Sequence, residues 1–84
     1  MSSDFAREWS LKWAEGVILG FARGRIELNR ALGMIRTASK MVQERELEAI
    51  LANIESNPVY LPSMTSDEKK TKLKPLKEAL GMVK

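Results

Sequence analysis

Side chains that commonly carry out catalysis are scarce in this sequence. The chain contains no histidine and no cysteine, which removes the commonest general base, the commonest metal ligand and every nucleophile that depends on an imidazole partner. The carboxylates, lysines and hydroxyls that are present follow no spacing typical of an active site or a metal site. We therefore expect a protein that is not an enzyme and has no catalytic residue, cofactor, metal ion or small-molecule substrate.

Residue types suited to binding a macromolecule are concentrated near the N-terminus. Four of the five aromatic residues lie in positions 5–21. Apolar residues recur there at every fourth position, as in a ridge along one side of a helix: Phe5, Trp9, Trp13, Val17 and Phe21. Such a ridge is commonly part of a core, because aromatic side chains bury a large area. Tryptophans are also favoured anchors of protein–protein interfaces, and we expect part of this helix to be an interface.

Three glycines share the same four-residue interval within the apolar stretch EGVILGFARG: Gly16, Gly20 and Gly24. An interior glycine costs a helix about 1 kcal/mol relative to alanine, so a compensating contact is expected. Glycines at this spacing allow a second helix to approach closely. Packing within the chain, with Gly24 as a C-terminal glycine of the helix, is the simpler interpretation. Contact with a second protein chain is the alternative.

A second set of candidate residues is basic and occupies one half of a helical wheel between positions 25 and 40: Arg25, Arg30, Arg36 and Lys40. The stretch LNRALGMIRTASKMV, residues 28–42, resembles the helix-turn-helix of small repressors, with its turn at Gly33. This resemblance implies DNA binding, but a turn at Gly33 would interrupt an otherwise continuous amphipathic helix. We favour the continuous helix with a solvated basic face, and we keep DNA or RNA binding through residues 25–40 as the alternative function.

The charge of the chain alternates along its length. Residues 1–42 carry a net charge of +3, residues 43–60 a net charge of −3, and residues 61–84 a net charge of +3. Such alternation favours docking of segments within one molecule, or a charge-matched partner, over a uniform surface for nucleic acid.

The elements that must position these residues are helical. Apolar spacing predicts three successive helices: 3–23, 25–42 and about 44–56. Whether Gly24 separates the first two helices or bends one long helix stays open. The apolar stripe of the third helix is rotated by about 140° from that of the second. We therefore expect the chain to bend between Met41 and Glu44.

The C-terminal part of the sequence predicts a connection followed by a further helix. Pro58 and Pro62 bracket an extended or turn-like connection near residues 57–64. Thr65 and Glu68 form the capping-box pattern that opens a helix.

Pro75 either interrupts that helix or opens a final one, and Gly81 closes it. Because no stretch alternates with a period of two, no strand is predicted. The sequence therefore predicts one all-α domain over residues 1–84, a small bundle of three to five helices.

Two observations bear on location. The apolar run 16–22 holds seven uncharged residues, whereas a membrane span needs about 20, so no transmembrane segment is expected. Asp4 and Glu8 stand where a signal peptide has its basic region. Together with the lack of cysteine, which fits a reducing compartment, this favours a cytoplasmic location.

From these patterns we expect a small helical regulator, inhibitor or adaptor that acts through protein–protein contact. Self-association into a homodimer is its simplest form, because small helical domains gain buried area in that way. The expected partner-binding residues comprise an apolar group and a charged flank: Phe5, Trp9, Trp13, Gly16, Gly20, Arg25, Arg30, Arg36 and Lys40.

Overall fold

Four α-helices follow one another along the chain. The computed structural model describes residues 2–82, with side chains from residue 5 onward, and that range contains no β-strand. The helices are α1 (Ser2–Ala22), α2 (Leu28–Ala38), α3 (Glu44–Ser56) and α4 (Ser66–Ala79). This confirms the predicted all-α bundle of three to five helices.

The chain leaves α1 through Gly24, which has a backbone conformation that other residues seldom adopt. Gly24 has a φ angle of +77°, a left-handed value at which a Cβ atom is unfavourable. The Gly24 N–H donates to Phe21 O at 3.0 Å, and the Arg25 N–H donates to Gly20 O at 2.9 Å. These two bonds form a Schellman motif. The first two predicted helices are therefore separate, which answers the question left open by the sequence.

α2 is shorter at both ends than the helix predicted over residues 25–42. Arg25 belongs to the closing motif of α1, and the Ile26 N–H also donates back to Gly20 O, at 3.3 Å, so the chain resumes a helix only at Leu28. At the other end, the Ser39 hydroxyl donates to Arg36 O at 2.8 Å. The segment 39–43 then turns towards α3, which confirms the predicted bend.

α3 has the bounds that the sequence predicts. Its start is fixed by Glu46, whose Oε1 accepts the Gln43 N–H at 2.9 Å, as in a capping box. Leu47, Leu51 and Ile54 point into the core, at the spacing of one helical face.

The connection after α3 is a folded turn. Asn57 Oδ1 accepts the Val59 N–H at 3.0 Å, and Asn57 O accepts the Tyr60 N–H at 3.1 Å, an Asx turn combined with a backbone turn. Leu61 follows with a φ angle of +54° and a buried side chain. Since a left-handed leucine is unfavourable, the burial of this side chain compensates for the backbone strain.

A buried lysine of α4 stabilises this turn from inside. Lys69 is only 2% exposed, and its Nζ donates to Asn57 O at 3.0 Å and to Tyr60 O at 2.9 Å. A cation beside the last carbonyls of α3 also complements the negative end of the helix dipole. On the far side of the turn, the Tyr60 hydroxyl donates to Glu15 Oε2 at 2.9 Å, which raises the pKa of Tyr60.

α4 begins with the predicted capping box. The Glu68 N–H donates to Thr65 Oγ1 at 3.1 Å, and the Thr65 N–H donates to Glu68 Oε1 at 2.9 Å. These hydrogen bonds lower the pKa of Glu68 below its ordinary value. Pro75 lies within the helix and does not interrupt it.

The end of α4 repeats the motif that ends α1. Gly81 has a φ angle of +77°, and the Met82 N–H donates to Lys77 O at 2.9 Å. The sequence prediction that Gly81 closes the helix is therefore confirmed.

All four helices and the turn before α4 contribute to one core. α1 contacts each of the other three helices. The buried apolar residues are Ala14, Val17, Ile18, Ala22, Ala31, Leu32, Ile35, Ala38, Val42, Leu47, Leu51, Ile54, Leu61, Leu73 and Leu76.

Ion pairs connect the acidic middle segment with the basic segments on either side. Arg7 of α1 pairs with Glu46 of α3, and Lys77 of α4 pairs with Glu55 of α3. The alternation of charge along the sequence thus corresponds to docking within the molecule, one of the two interpretations that the sequence allowed.

Candidate functional site: the exposed face of α1

The largest exposed aromatic side chains lie together on α1. Phe5 is 73% exposed, Trp9 56% and Trp13 37%, and Gly16 is exposed beside them. At about 100° per residue, these four positions lie within about 80° of one another around the helix. We call them the α1 aromatic face. Within the part of the chain that the structure describes, no other element covers this face.

The apolar ridge predicted on α1 passes from solvent into the core. Val17 is buried, and Phe21 is half-buried against the core. A step of four residues advances about 40° around a helix, so the ridge turns by about 160° between Phe5 and Phe21. Its first three members therefore face solvent while its last two pack internally. The core interpretation of the ridge therefore holds for Val17 and Phe21 only.

The two indoles support each other on the exposed surface. Their ring centroids are 5.3 Å apart, with an angle of 25° between the ring planes, an offset stacking that aromatic rings prefer. Trp13 Nε1 also donates to Met34 O of α2 at 3.4 Å. Trp13 is thus fixed against α2, and Trp9 is fixed against Trp13, which reduces the conformational freedom that binding would otherwise remove.

The three glycines of α1 have three different surroundings. A Cβ atom on Gly20 would lie 2.7 Å from Ile26 Cδ1, whereas a Cβ atom on Gly16 would meet nothing within 4 Å. A larger residue at Gly20 would therefore displace the Ile26 side chain, whereas Gly24 is needed for the turn described above. Gly16 has no such internal reason, although its position on the exposed face is compatible with contact to another chain.

The four basic candidate residues are exposed but do not share one helix face. Arg25 lies in the turn after α1 and Lys40 in the turn after α2, while Arg30 and Arg36 belong to α2. The last two are about 120° apart around α2, within one half of its circumference. The predicted basic face over residues 25–40 is nevertheless wrong as a single helix face, because α2 spans only Leu28–Ala38 and leaves Arg25 and Lys40 outside it.

α2 also runs through Gly33 without a turn. The resemblance of residues 28–42 to a helix-turn-helix is thus not realised in the fold. The continuous amphipathic helix favoured at Gly33 is what the structure shows.

Two charged residues of the interior were not recognised from the sequence. Lys69 and Glu55 are both buried, yet each lies in a run of polar residues. The signal that could have identified Lys69 is its register, because it precedes the buried Leu73 by four residues and Leu76 by seven. Both residues have a structural role, in the turn and in the ion pair with Lys77.

A shallow surface hollow of about 420 Å³ is lined by side chains that are at least partly exposed: Met64, Asp67, Glu68, Thr71 and Lys72. Among the described side chains, those of residues 5–82, no group of three or more acidic residues is arranged to hold a metal ion.

In the same described range, each helix is too short or too polar to cross a lipid bilayer. Comparison of the chain with models of protein families, with curated proteins and with solved structures finds no match.

Proposed function

We propose that this chain is a non-catalytic protein-binding module whose contact surface is the α1 aromatic face. The observation that carries the proposal is the exposure of Phe5, Trp9 and Trp13 on one side of one helix. Their exposed parts amount to about 400 Å² of aromatic surface, given the 150–250 Å² that such side chains can bury. Apolar patches of this size on small proteins commonly mark binding sites.

Burying this face against a partner is more favourable in free energy than leaving it exposed to water. The other helices bury their apolar stripes, so the chain keeps its core without these three rings. Burying the rings against a partner would gain about 25 cal/mol for each Å² removed from water. Tryptophans at the centre of an interface often supply most of its binding energy. A regulator, inhibitor or adaptor that acts by occupying a partner surface fits this arrangement.

A capture experiment tests the proposal. The full chain, tagged at its C-terminus, is incubated with an extract of the cells that encode it, and bound proteins, including untagged copies of the chain, are quantified by mass spectrometry. A variant carrying Phe5→Ser and Trp9→Ser removes two exposed rings without touching the core. We expect it to lose the bound proteins.

Val59→Ser serves as the matched control, because Val59 is equally exposed but lies in the turn after α3. This variant is expected to retain all bound proteins. Equal capture by the α1 variant and the wild type would contradict the proposal.

Nucleic-acid binding is the second candidate function. Among the side chains that the structure describes, residues 5–82, none of Arg25, Arg30, Arg36 and Lys40 forms an ion pair, so their charges are available to phosphates. Binding of this kind would weaken steeply with added salt and would be lost on combining Arg30→Glu with Arg36→Glu. Absence of any shift with duplex and single-stranded probes at low salt would exclude it.

A further inference from the structure

We infer that the partner of the α1 aromatic face is a second copy of this chain, with the two α1 helices antiparallel. This inference rests on the proposed function and names its partner.

The spacing of the exposed residues supports helix pairing. Phe5, Trp9, Lys12 and Gly16 follow one another at intervals of four, three and four residues, and all are exposed. Alternating intervals of four and three place side chains along the seam of a two-helix contact. This seam shares Phe5 and Trp9 with the ridge at steps of four but continues through Lys12 instead of Trp13.

An antiparallel pair places residues of unequal size opposite each other. If Phe5 of one copy faces Gly16 of the other, Trp9 of the first necessarily faces Lys12 of the second, because both pairs of residue numbers have the same sum. The Phe5 ring then lies over the one position of the seam that has no side chain. This gives the exposed Gly16, which no internal contact explains, a packing role.

Charge complementarity favours the same arrangement. Lys12 of one copy would lie beside Trp9 of the other, a cation–π contact. Glu8 precedes Lys12 by one helical turn and is also exposed. It would lie near Lys12 of the opposite copy, forming an ion pair. The two-fold axis repeats each contact, so every favourable pair occurs twice.

A parallel pair would lose these contacts. Identical residues would then face each other, so that Lys12 would meet Lys12 of the second copy and Gly16 would meet Gly16. Like charges at close range repel, and two facing glycines leave a cavity. The antiparallel orientation is therefore the one that this row of residues supports.

The N-terminal half of α1 is free to receive the second copy. No side chain in the range 5–9 is buried, and Ser10 is the first buried residue among those described. The ion pair between Arg7 and Glu46 holds this half of the helix against α3. About 400 Å² of aromatic surface is half of what a standard interface buries on each partner, so we expect a weak dimer with a dissociation constant on the order of micromolar.

Sedimentation equilibrium at about 1 to 500 µM tests self-association. We expect the wild type to shift from monomer to dimer within this range. Lys12→Glu and Glu8→Lys each create like charges across the seam and are expected to weaken the dimer by about tenfold or more. The double variant with both substitutions exchanges the charges and should dimerise more tightly than either single variant, because the ion pair returns while the cation–π contact does not.

Two further variants separate this seam from other surfaces. Gly16→Leu fills the position that Phe5 of the second copy would cover and should abolish the dimer, while circular dichroism reports an intact fold. The control reverses exposed charges elsewhere, with Glu48→Lys on α3 and Lys70→Glu on α4, and should dimerise as the wild type does.

Engineered cysteines report the orientation, since the chain has none of its own. We expect an equimolar mixture of the Glu8→Cys and Lys12→Cys variants to form a disulfide-linked dimer faster than either variant alone, because positions 8 and 12 of different copies lie next to each other only in an antiparallel pair. Faster cross-linking of each variant with itself would overturn the orientation.

A monomer throughout the concentration range, or a dimer unaffected by Gly16→Leu and by the charge exchange, would overturn the inference. If the chain is a monomer and the α1 variant still loses a captured protein of another sequence, only the homodimer fails. If neither self-association nor capture depends on α1, the proposed function fails as well.

Discussion

Lys69 is buried although the residues on either side of it in the sequence are exposed. It lies in the sequence DEKKTKLK, where a charged run is typical of a solvated helix face. Its register with Leu73 and Leu76 nevertheless carries its side chain inside, where its Nζ binds two backbone carbonyl oxygens. A buried ammonium group is tolerated only because these oxygens partly replace its water.

Replacing Lys69 therefore tests whether these hydrogen bonds stabilise the fold. Lys69→Met keeps most of the side-chain volume but leaves the carbonyls of Asn57 and Tyr60 without this donor. We expect the free energy of unfolding in urea to fall by about 2–3 kcal/mol. The neighbouring exposed Lys70→Met should change it by less than about 0.5 kcal/mol. Equal effects of the two substitutions would refute the role assigned to Lys69.

The three glycines near the end of α1 show that equal spacing in the sequence does not imply equal structural roles. Gly16, Gly20 and Gly24 have equal intervals, yet one is exposed, one contacts Ile26 and one has a left-handed backbone. The role of Gly24 could be predicted, because a glycine after an apolar helix is a local signal. The role of Gly20 could not, because it depends on Ile26 folding back across a turn.

At the scale of elements, local signals account for the predictions that succeeded. The capping box of Thr65 and Glu68 and the C-terminal Gly81 lie at the predicted ends of α4. The bounds of α2 were wrong because helical periodicity continues through residues 25–27 and 39–42, whereas backbone hydrogen bonds at the neighbouring turns end the helix. Pro75 was ambiguous because its cost to a helix depends on the packing around it.

The start of α4 makes stability depend on pH. The hydrogen bonds with Thr65 lower the pKa of Glu68 below its ordinary value of 4.5, so the folded state favours the charged carboxylate. This contribution is complete above the pKa of the unfolded chain and is lost as the pH falls through the lower folded value.

Glu68→Gln removes this dependence while keeping an oxygen that can accept the Thr65 N–H. Between about pH 5 and pH 3, we expect the free energy of unfolding to decline less steeply in this variant than in the wild type, as measured by urea denaturation at each pH. Other carboxylates titrate in both proteins, so the informative quantity is the difference between the two slopes. Parallel slopes would contradict the prediction.

At the scale of the whole molecule, α3 is an acidic element between basic neighbours. Its two ion pairs differ in their surroundings, because Arg7 is half exposed whereas Glu55 is buried beside a largely covered Lys77. The alternation of charge in the sequence indicated that the segments could dock. It could not indicate which pairs would be sheltered from water, because burial depends on how the helices pack.

We expect the two ion pairs to contribute unequally to stability. Arg7→Gln should lower the free energy of unfolding by about 0–1 kcal/mol, the range for surface pairs. Glu55→Gln should lower it by about 2 kcal/mol, because it leaves Lys77 beside an uncharged group in a covered position. Urea denaturation at low and high salt checks this, since added salt should diminish only the effect of Arg7→Gln. A larger loss from Arg7→Gln would contradict the assignment.

The enclosure of Lys69 makes its amine a reporter of the separation of α4 from α3 and the turn between them. Acetic anhydride modifies exposed lysines readily, whereas Nζ of Lys69 becomes reachable only when α3, α4 and the turn between them separate. Peptide mass spectrometry of the partially acetylated chain would therefore give two classes of acetylation rate. Exposed lysines react fast, whereas Lys69 reacts slowly, because it is modified only in the rarely populated open state. The slow rate supplies an opening constant for this part of the bundle under native buffer, without denaturant and without an added label.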